Sequence, residues 1–202
     1  MKTIVIASNN AHKVEEISSA LDFPGWEFRT LRQAGVDSDP AEDAGTFEGN
    51  ARIKARAAHE LCPGVAVLAD DSGLVVDALG GAPGVCSSRY AGEQATDADN
   101  NAKLIAELAD VPEGQRSARF VCTLVFVDED GTETVAQGTL EGMIGLDERG
   151  GHGFGYDPLF LPDVFGDGRT LAEASSEEKN AMSHRGNALR SLRGMLTGVC
   201  NL

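Results

Sequence analysis

The chain has 202 residues, 42% hydrophobic and 24% charged, a composition ordinary for a globular protein with one substantial core or two lobes sharing a sheet. Its 32 acidic residues against 17 basic ones give a net charge of −15, which works against adhesion to nucleic acid or an anionic membrane, so an anionic ligand must be met locally by a metal or a few gathered cations. Cys62, Cys86, Cys122 and Cys200 form neither a C-x-x-C pair nor a zinc-like Cys/His spacing, and the apolar run near the N-terminus is too short for a signal peptide or a membrane span; the expectation is one folded unit over residues 1–202, soluble and cytoplasmic.

Residues 3–7 (TIVIA) are β-branched and apolar, and after the polar SNNAHK a helical pattern follows with Val14, Ile17, Ala20 and Leu21. Strand, loop and helix in that order open an α/β fold. A second strand is predicted over residues 26–31, and DSDPAEDAG, without an apolar period, reads as a loop ending at Thr46, a good N-cap. From Thr46 the Ala-rich run to Leu61 predicts a helix with Ile53, Ala57 and Leu61 on one face. Residues 65–69 predict a buried strand that delivers Asp70 and Asp71 to its C-terminal end, followed by an irregular Gly-rich stretch and a helix over residues 97–108.

Residues 119–127 and 134–144 flank an Asp130-Gly131 turn, the strongest hairpin signal in the chain. The Gly-dense RGGHGFGYDPLF comes next, and then a helical C-terminus whose start carries the capping-box pair Ser175 and Glu178.

The chain lacks the G-x-x-x-x-G-K-[ST], G-x-G-x-x-G, G-x-S-x-G and EF-hand patterns. Polar clusters sit instead on loops at predicted strand ends, where open α/β sheets bind ligands. In SNNAHK, residues 8–13, backbone N–H groups, the Ser8 hydroxyl and the Lys13 ammonium can converge on a phosphate, although the same residues also make an ordinary capped helix start. A hard cation such as Mg²⁺ takes a few carboxylates plus phosphate oxygens and water, and Asp70 or Asp71 with Glu42 or Asp43 supplies that chemistry. Neighbouring strand residues point to opposite faces, so Asp70 and Asp71 are not expected to share one role: one faces the cleft, and the other caps or braces the loop or reaches the metal through water.

In so acidic a chain the cations Lys13, Lys54, Arg89, Lys179 and Arg185 are candidates for phosphate, with Lys54 and Arg89 the weakest. GFGYDP lets backbone approach a ligand at its glycines and offers the rings of Phe154 and Tyr156 to a planar base, or tucks those rings into the core. His184 and Arg185 follow Lys179 by five and six residues, roughly 140° and 240° around a straight helix, so either the helix breaks near Ser183 or a ligand is wrapped from two sides.

Taken together, SNNAHK, FEGNARIKA, ADDSGL followed by GGAPGVCSSRYAG, GFGYDPLF and SSEEKNAMSHRGNAL closely resemble the inosine-triphosphate pyrophosphatase family, in order and along nearly the whole chain. The resemblance implies an α/β fold with a long central mixed sheet and flanking helices forming two lobes around a nucleotide cleft. It implies a Mg²⁺-dependent homodimer that hydrolyses dITP/ITP, XTP/dXTP and related aberrant purine nucleoside triphosphates to the monophosphate and pyrophosphate. On that basis the triphosphate falls to Ser8, Asn9, Asn10, Ala11, His12, Lys13 and Lys179, metal to Glu42 and Asp71, and the catalytic acid/base role to Asp71. Ser72 is a substrate contact, Phe154, Gly155, Tyr156 and Asp157 form the base loop, and His184 with Arg185 reads the purine. Gly49 departs from the pattern, since many relatives carry a second Glu there, which leaves open whether the neighbouring Glu48 takes its place in the metal shell. Two other readings share parts of the pattern: a pyrophosphatase for other modified nucleotides, and a non-catalytic nucleotide-sensing module.

Overall fold

A computed structural model describes residues 2–20 and 25–198; Leu21 and Cys200 lie outside them. Strand β1 (Lys2–Ala7) leads into helix α1 (Ala11–Ala20), and β2 (Trp26–Thr30) into the short α2 (Leu31–Ala34). Then come α3 (Phe47–Leu61), β3 (Ala66–Val76), α4 (Asp97–Leu108), β4 (Ser117–Val127) and β5 (Glu133–Ile144). The short β6 (Phe160–Pro162), α5 (Ser176–Met182) and α6 (His184–Thr197) complete the chain.

The strands form one six-stranded sheet in the order β2-β1-β3-β4-β5-β6. It is mixed: β1 runs parallel to both β2 and β3, and β5 antiparallel to β6. Two compact units emerge, one from residues 1–71, 122–138 and 184–202, the other from residues 72–121 and 139–183, with β3, β4 and β5 each contributing to both.

In the first unit strand alternation sorts the core into two clusters. Ile4, Ile6, Ala66, Leu68, Cys122, Leu124 and Phe126 point to one face, where Ile17 of α1 and Ala188, Leu189 and Leu192 of α6 cover them. Val5, Ala7, Val67, Ala69, Val125 and Val127 point to the other, where Ala51, Ala55 and Ala58 of α3 lie. The buried stripe of α3 therefore differs from the predicted one: Ile53 and Ala57 are half-buried, and Leu61 is 54% exposed. Alanines, with little side chain to hold it away, let this helix lie close to the sheet, and the larger residues fall to its flanks.

Thr46 caps α3 as its side chain accepts from Gly49 N–H, and Ser175 with Glu178 forms the expected capping box of α5. Ser183 takes an extended conformation, φ −61° and ψ 155°, which ends α5 before α6 starts at His184. A second close approach occurs at Gly138 of β5, where a Cβ would meet the His184 carbonyl oxygen and Ala188 nitrogen at 2.3 Å; a glycine here lets the first turn of α6 touch the strand backbone.

In the second unit Leu74, Val76, Leu104, Leu108, Phe120, Leu140, Tyr156, Leu159 and Phe160 share one core. Here β3 corrects the predicted boundary, because it continues through both aspartates to Val76 with Leu74 and Val76 fully buried. The apolar LVV stretch extends the strand where the Gly-rich composition suggested irregular chain.

Candidate active site

Strand alternation at the end of the first unit sends Asp70 toward α1 and α6, on the face of Ala66 and Leu68, and Asp71 toward α3, on the face of Val67 and Ala69. The Asp70 carboxylate is fully buried and receives Lys13 Nζ at 2.7 Å, Arg185 Nε at 3.1 Å and the Cys122 thiol at 2.9 Å. Arg185 is itself 1% exposed and bonds Glu16 through Nη1. Burial works against the Asp70 charge, but Arg185 and Lys13 more than offset it and hold the carboxyl well below the usual carboxylate range. Burial and the neighbouring Asp70 charge push the Cys122 thiol well up, so it stays protonated. Lys13 and Arg185 thus balance Asp70 and Glu16 in charge. The expectation that Asp70 braces a loop is corrected: it lies within a strand and joins β3 to α1, α6 and β4.

Asp71 has a different set of partners. Lys54 Nζ, from α3, lies 3.0 Å from Asp71 Oδ1 and 2.8 Å from Glu42 Oε2. Asn50, one turn earlier, donates from Nδ2 to Asp71 Oδ2 at 3.3 Å and accepts the Ala44 N–H at Oδ1. One carboxamide therefore ties the acidic loop to the strand. Burial is the strongest influence on Asp71 and raises its pKa, with Lys54 and Lys13 pulling the other way. Burial likewise disfavours the Lys54 charge, but Asp71 and Glu42 outweigh it and raise its pKa.

Two carboxylates against one ammonium leave this cluster short of one positive charge. Its donors are hard oxygens, and no group of three metal-binding side chains exists among the described residues. Such a set fits a hard divalent cation completed by phosphate oxygens and water. Asp43 is exposed, and Glu48 pairs with Arg52 at 2.7 Å instead of joining the cluster. A Cβ at Gly49 would stand 2.5 Å from Ala44 Cβ, so a small residue fits the close turn there.

The loop before α1 is built by short-range bonds: Ser8 Oγ accepts the Asn10 N–H, and Asn10 Oδ1 accepts the Lys13 N–H. Asn9 Nδ2 reaches the Ser38 carbonyl at 3.1 Å, tying this loop to the start of the acidic segment. Ala11 and His12 are exposed on the first turn. Ser8, Asn9, Asn10, Ala11, His12, Lys13, Glu42, Asp71, His184 and Arg185 all belong to the first unit.

Ser72, Phe154, Gly155, Tyr156, Asp157 and Lys179 belong to the second unit. Asp157 Oδ2 accepts Lys179 Nζ at 2.7 Å and the Phe154 N–H at 3.0 Å, and Lys179 Nζ lies 5.0 Å from the Phe154 ring centroid. Gly153 has φ +81°, and a Cβ there would sit 2.1 Å from Asp157 Oδ2, so a larger residue would displace that carboxylate. Phe154 is half-buried, whereas Tyr156 is a core residue whose hydroxyl donates to the Ser87 carbonyl, so for this ring the structure takes the core option of the two the sequence left open. Ser72 is half-buried in β3, and Arg89 lies with Glu93 at 3.7 Å instead of joining the cluster.

Sequence reasoning undervalued Lys54 and missed Asn50 altogether. The one available signal was spacing: Asn50 and Lys54 stand four apart on one helix and so share a face.

A sequence profile of the Ham1 family matches residues 4–195. The chain belongs to the Ham1 family. It is 46% identical to a dITP/XTP pyrophosphatase of Clostridium perfringens, over 98% of this chain and 99% of the relative. To the dITP/XTP pyrophosphatase of Shigella flexneri it is 49% identical, over 95% of this chain and 96% of the relative. A solved Ham1 protein from Coxiella burnetii superposes with a TM-score of 0.87 at 42% identity, over 98% of this chain and all of that one.

Proposed function

We infer that this Ham1 protein hydrolyses aberrant purine nucleoside triphosphates, dITP/ITP and XTP/dXTP, to the monophosphate and pyrophosphate, removing deaminated purines from the nucleotide pool. Similarity to dITP/XTP pyrophosphatases along nearly the full length supports the substrate class. The chemistry rests on one observation: Glu42 and Asp71 share a single ammonium, that of Lys54.

In this reading Glu42 and Asp71 hold Mg²⁺, which when bound supplies charge neutralisation at the phosphates and a more acidic water. Asp71, held by Asn50 and Lys54, orients the attacking water and accepts its proton. Oxygen from that water bonds to the α-phosphorus as the bond from it to the bridging oxygen breaks and pyrophosphate leaves. Lys13 and Lys54 offset charge that grows on the departing oxygens. Ser8, Asn9, Asn10, Ala11 and His12 present the loop to the triphosphate, Lys179 adds a further cation, and Ser72 contacts the substrate.

For the base, the loop of Phe154, Gly155, Tyr156 and Asp157 and the pair His184 and Arg185 favour a 6-oxo purine. Donors directed at O6 would face the amino group of adenine, and a site that leaves buried polar groups unpaired discriminates strongly. Asp70 and Glu16 hold Arg185 at two of its nitrogens, which fixes the plane of the guanidinium.

Pyrophosphate release from dITP, XTP, GTP, ATP and dUTP, with and without Mg²⁺, tests the reading. Mg²⁺-dependent release is expected with dITP and XTP preferred. Preference for dUTP would favour the enzyme for modified pyrimidines, and tight binding without turnover would favour the sensing module.

The same reading includes a cytoplasmic homodimer, supported by the family resemblance and tested by light scattering of the purified chain. It includes no nucleic-acid or membrane partner, in keeping with the net charge of −15; among the described residues no helix is long and apolar enough to cross a membrane.

A further inference from the structure

Within the second unit, the loop at residues 153–157 is fastened from two directions. At one end the Lys179–Asp157 pair and the Phe154 N–H meet on a single carboxylate oxygen. At the other, helix α4 takes hold of Gly155. Asp97 Oδ2 accepts the Gly155 N–H at 2.8 Å, and Asn101 Nδ2 donates to the Gly155 carbonyl at 3.2 Å. Asp97 and Asn101 stand four apart, on one face of the helix. Gly155 has φ +62°, a left-handed conformation available to glycine without strain. One turn of α4 therefore fixes the peptide plane on each side of the loop's most permissive residue.

Asn101 is buried, with its amide turned to the loop. It is 3% exposed, and its Oδ1 is buried without a hydrogen-bond partner. An unsatisfied buried acceptor carries a desolvation cost, and an apolar residue of similar size avoids it. The bond its amide makes is to the loop.

We propose that Asp97 and Asn101 are positioning residues for base selectivity, holding the Gly155 peptides so that the loop cannot rearrange around the wrong base. The proposal rests on the reading of residues 154–157 as the base loop. Its physical basis is that hydrogen-bond mismatch discriminates only against a rigid site; a loop free to turn its peptides can pair with adenine's amino group as well as with a 6-oxo group.

The experiment compares kcat and KM for dITP and dATP in the wild type, Asp97→Ala, Asp97→Asn, Asn101→Leu and Phe154→Ala, each with a thermal melt. Asp97→Ala and Asn101→Leu are expected to lower the dITP:dATP ratio of kcat/KM about tenfold, on the order of what one lost hydrogen bond to a fixed partner allows. KM for dITP rises more than kcat falls. Asp97→Asn, which keeps an acceptor, restores part of the ratio. Asn101→Leu removes the unpaired oxygen along with one hydrogen bond, so it is expected to melt close to the wild type while still losing selectivity, a split that a purely structural role would not produce. If Asp97→Ala and Asn101→Leu keep the wild-type ratio while Phe154→Ala loses it, the proposal is overturned and the base loop stands. If Phe154→Ala also keeps the ratio, the base-loop reading falls and the proposal with it.

Discussion

On one face of β3 the Asp70 carboxylate meets two cations, Lys13 and Arg185, while on the other Asp71 shares the single ammonium of Lys54 with Glu42. In the first set one carboxylate receives two cations, and Asp70 is held well below the usual carboxylate range. The second is open by one charge, and Asp71 titrates above its ordinary value. A balanced buried network holds elements together, whereas an unbalanced one leaves affinity for a cation from outside. In the proposed reading two adjacent residues of one type do different work, Asp70 anchoring Lys13 and Arg185 and Asp71 holding the cation, because the pleat turns them to different neighbours.

The sharpest way to break this contrast is Asp71→Asn, expected to lower turnover on dITP about a thousand-fold, the scale of a lost general base, while dITP binding remains measurable. Near-normal turnover in a single-turnover assay would remove Asp71 from the chemistry. Asp70→Asn should act on folding in addition to any effect on substrate, because it leaves Arg185 and Lys13 facing a neutral group. Urea denaturation is expected to lose about 3–5 kcal/mol, the usual cost of removing one partner from a buried pair. A variant as stable as the wild type would show that the network is not what holds α1 and α6 to β3.

Lys54→Met deepens the charge deficit around Glu42 and Asp71. Calorimetry should show Mg²⁺ binding about tenfold tighter, a modest effect for one partly buried charge, and weaker binding would place the metal elsewhere.

The smallest effect is also the most diagnostic, because the two aspartates have opposite signs in pH. Asp70's folded pKa is depressed, so its stabilisation is present above the unfolded value of about 3.9 and lost as pH falls through the folded value. Asp71's folded pKa is raised, so its stabilisation is present below about 3.9 and lost as pH rises through the folded value. In metal-free urea titrations the advantage of the wild type over Asp70→Asn should therefore shrink in acid. Against Asp71→Asn it should shrink as pH rises above about 3.9 and through the raised folded value, and slopes of the same sign for both would contradict the two environments.

Much of this arrangement is legible along the chain. Helix α4 spans the predicted residues 97–108, Thr46 and Ser175 cap the predicted helices, and β4 and β5 flank the Asp130-Gly131 turn. These features depend on neighbours close in sequence, where a side chain meets the next turn of its own helix or strand. The break at Ser183 was one of two options the spacing left, and the structure adopts it.

What failed has a common origin. Stripe prediction on α3 followed side-chain size and missed Ala51, Ala55 and Ala58, because close packing against a sheet rewards small residues that periodicity undervalues. Sequence left Tyr156 open between a stacking platform and a core ring, and the choice was made by a core assembled from residues far along the chain. Asp70 looked like a loop brace because nothing near it in sequence announces Arg185 and Cys122.

The sequence by itself determined the α/β class, the order of most elements, the caps and the opposed directions of Asp70 and Asp71, all consequences of local backbone geometry. Only the tertiary structure decided which cations each aspartate receives and that Lys54 bridges Glu42 to Asp71. It likewise decided that Asp97 and Asn101 hold Gly155. Coulomb and hydrogen-bond energies depend on distance in space, and the partners stand from 12 to 115 residues apart along the chain until it folds.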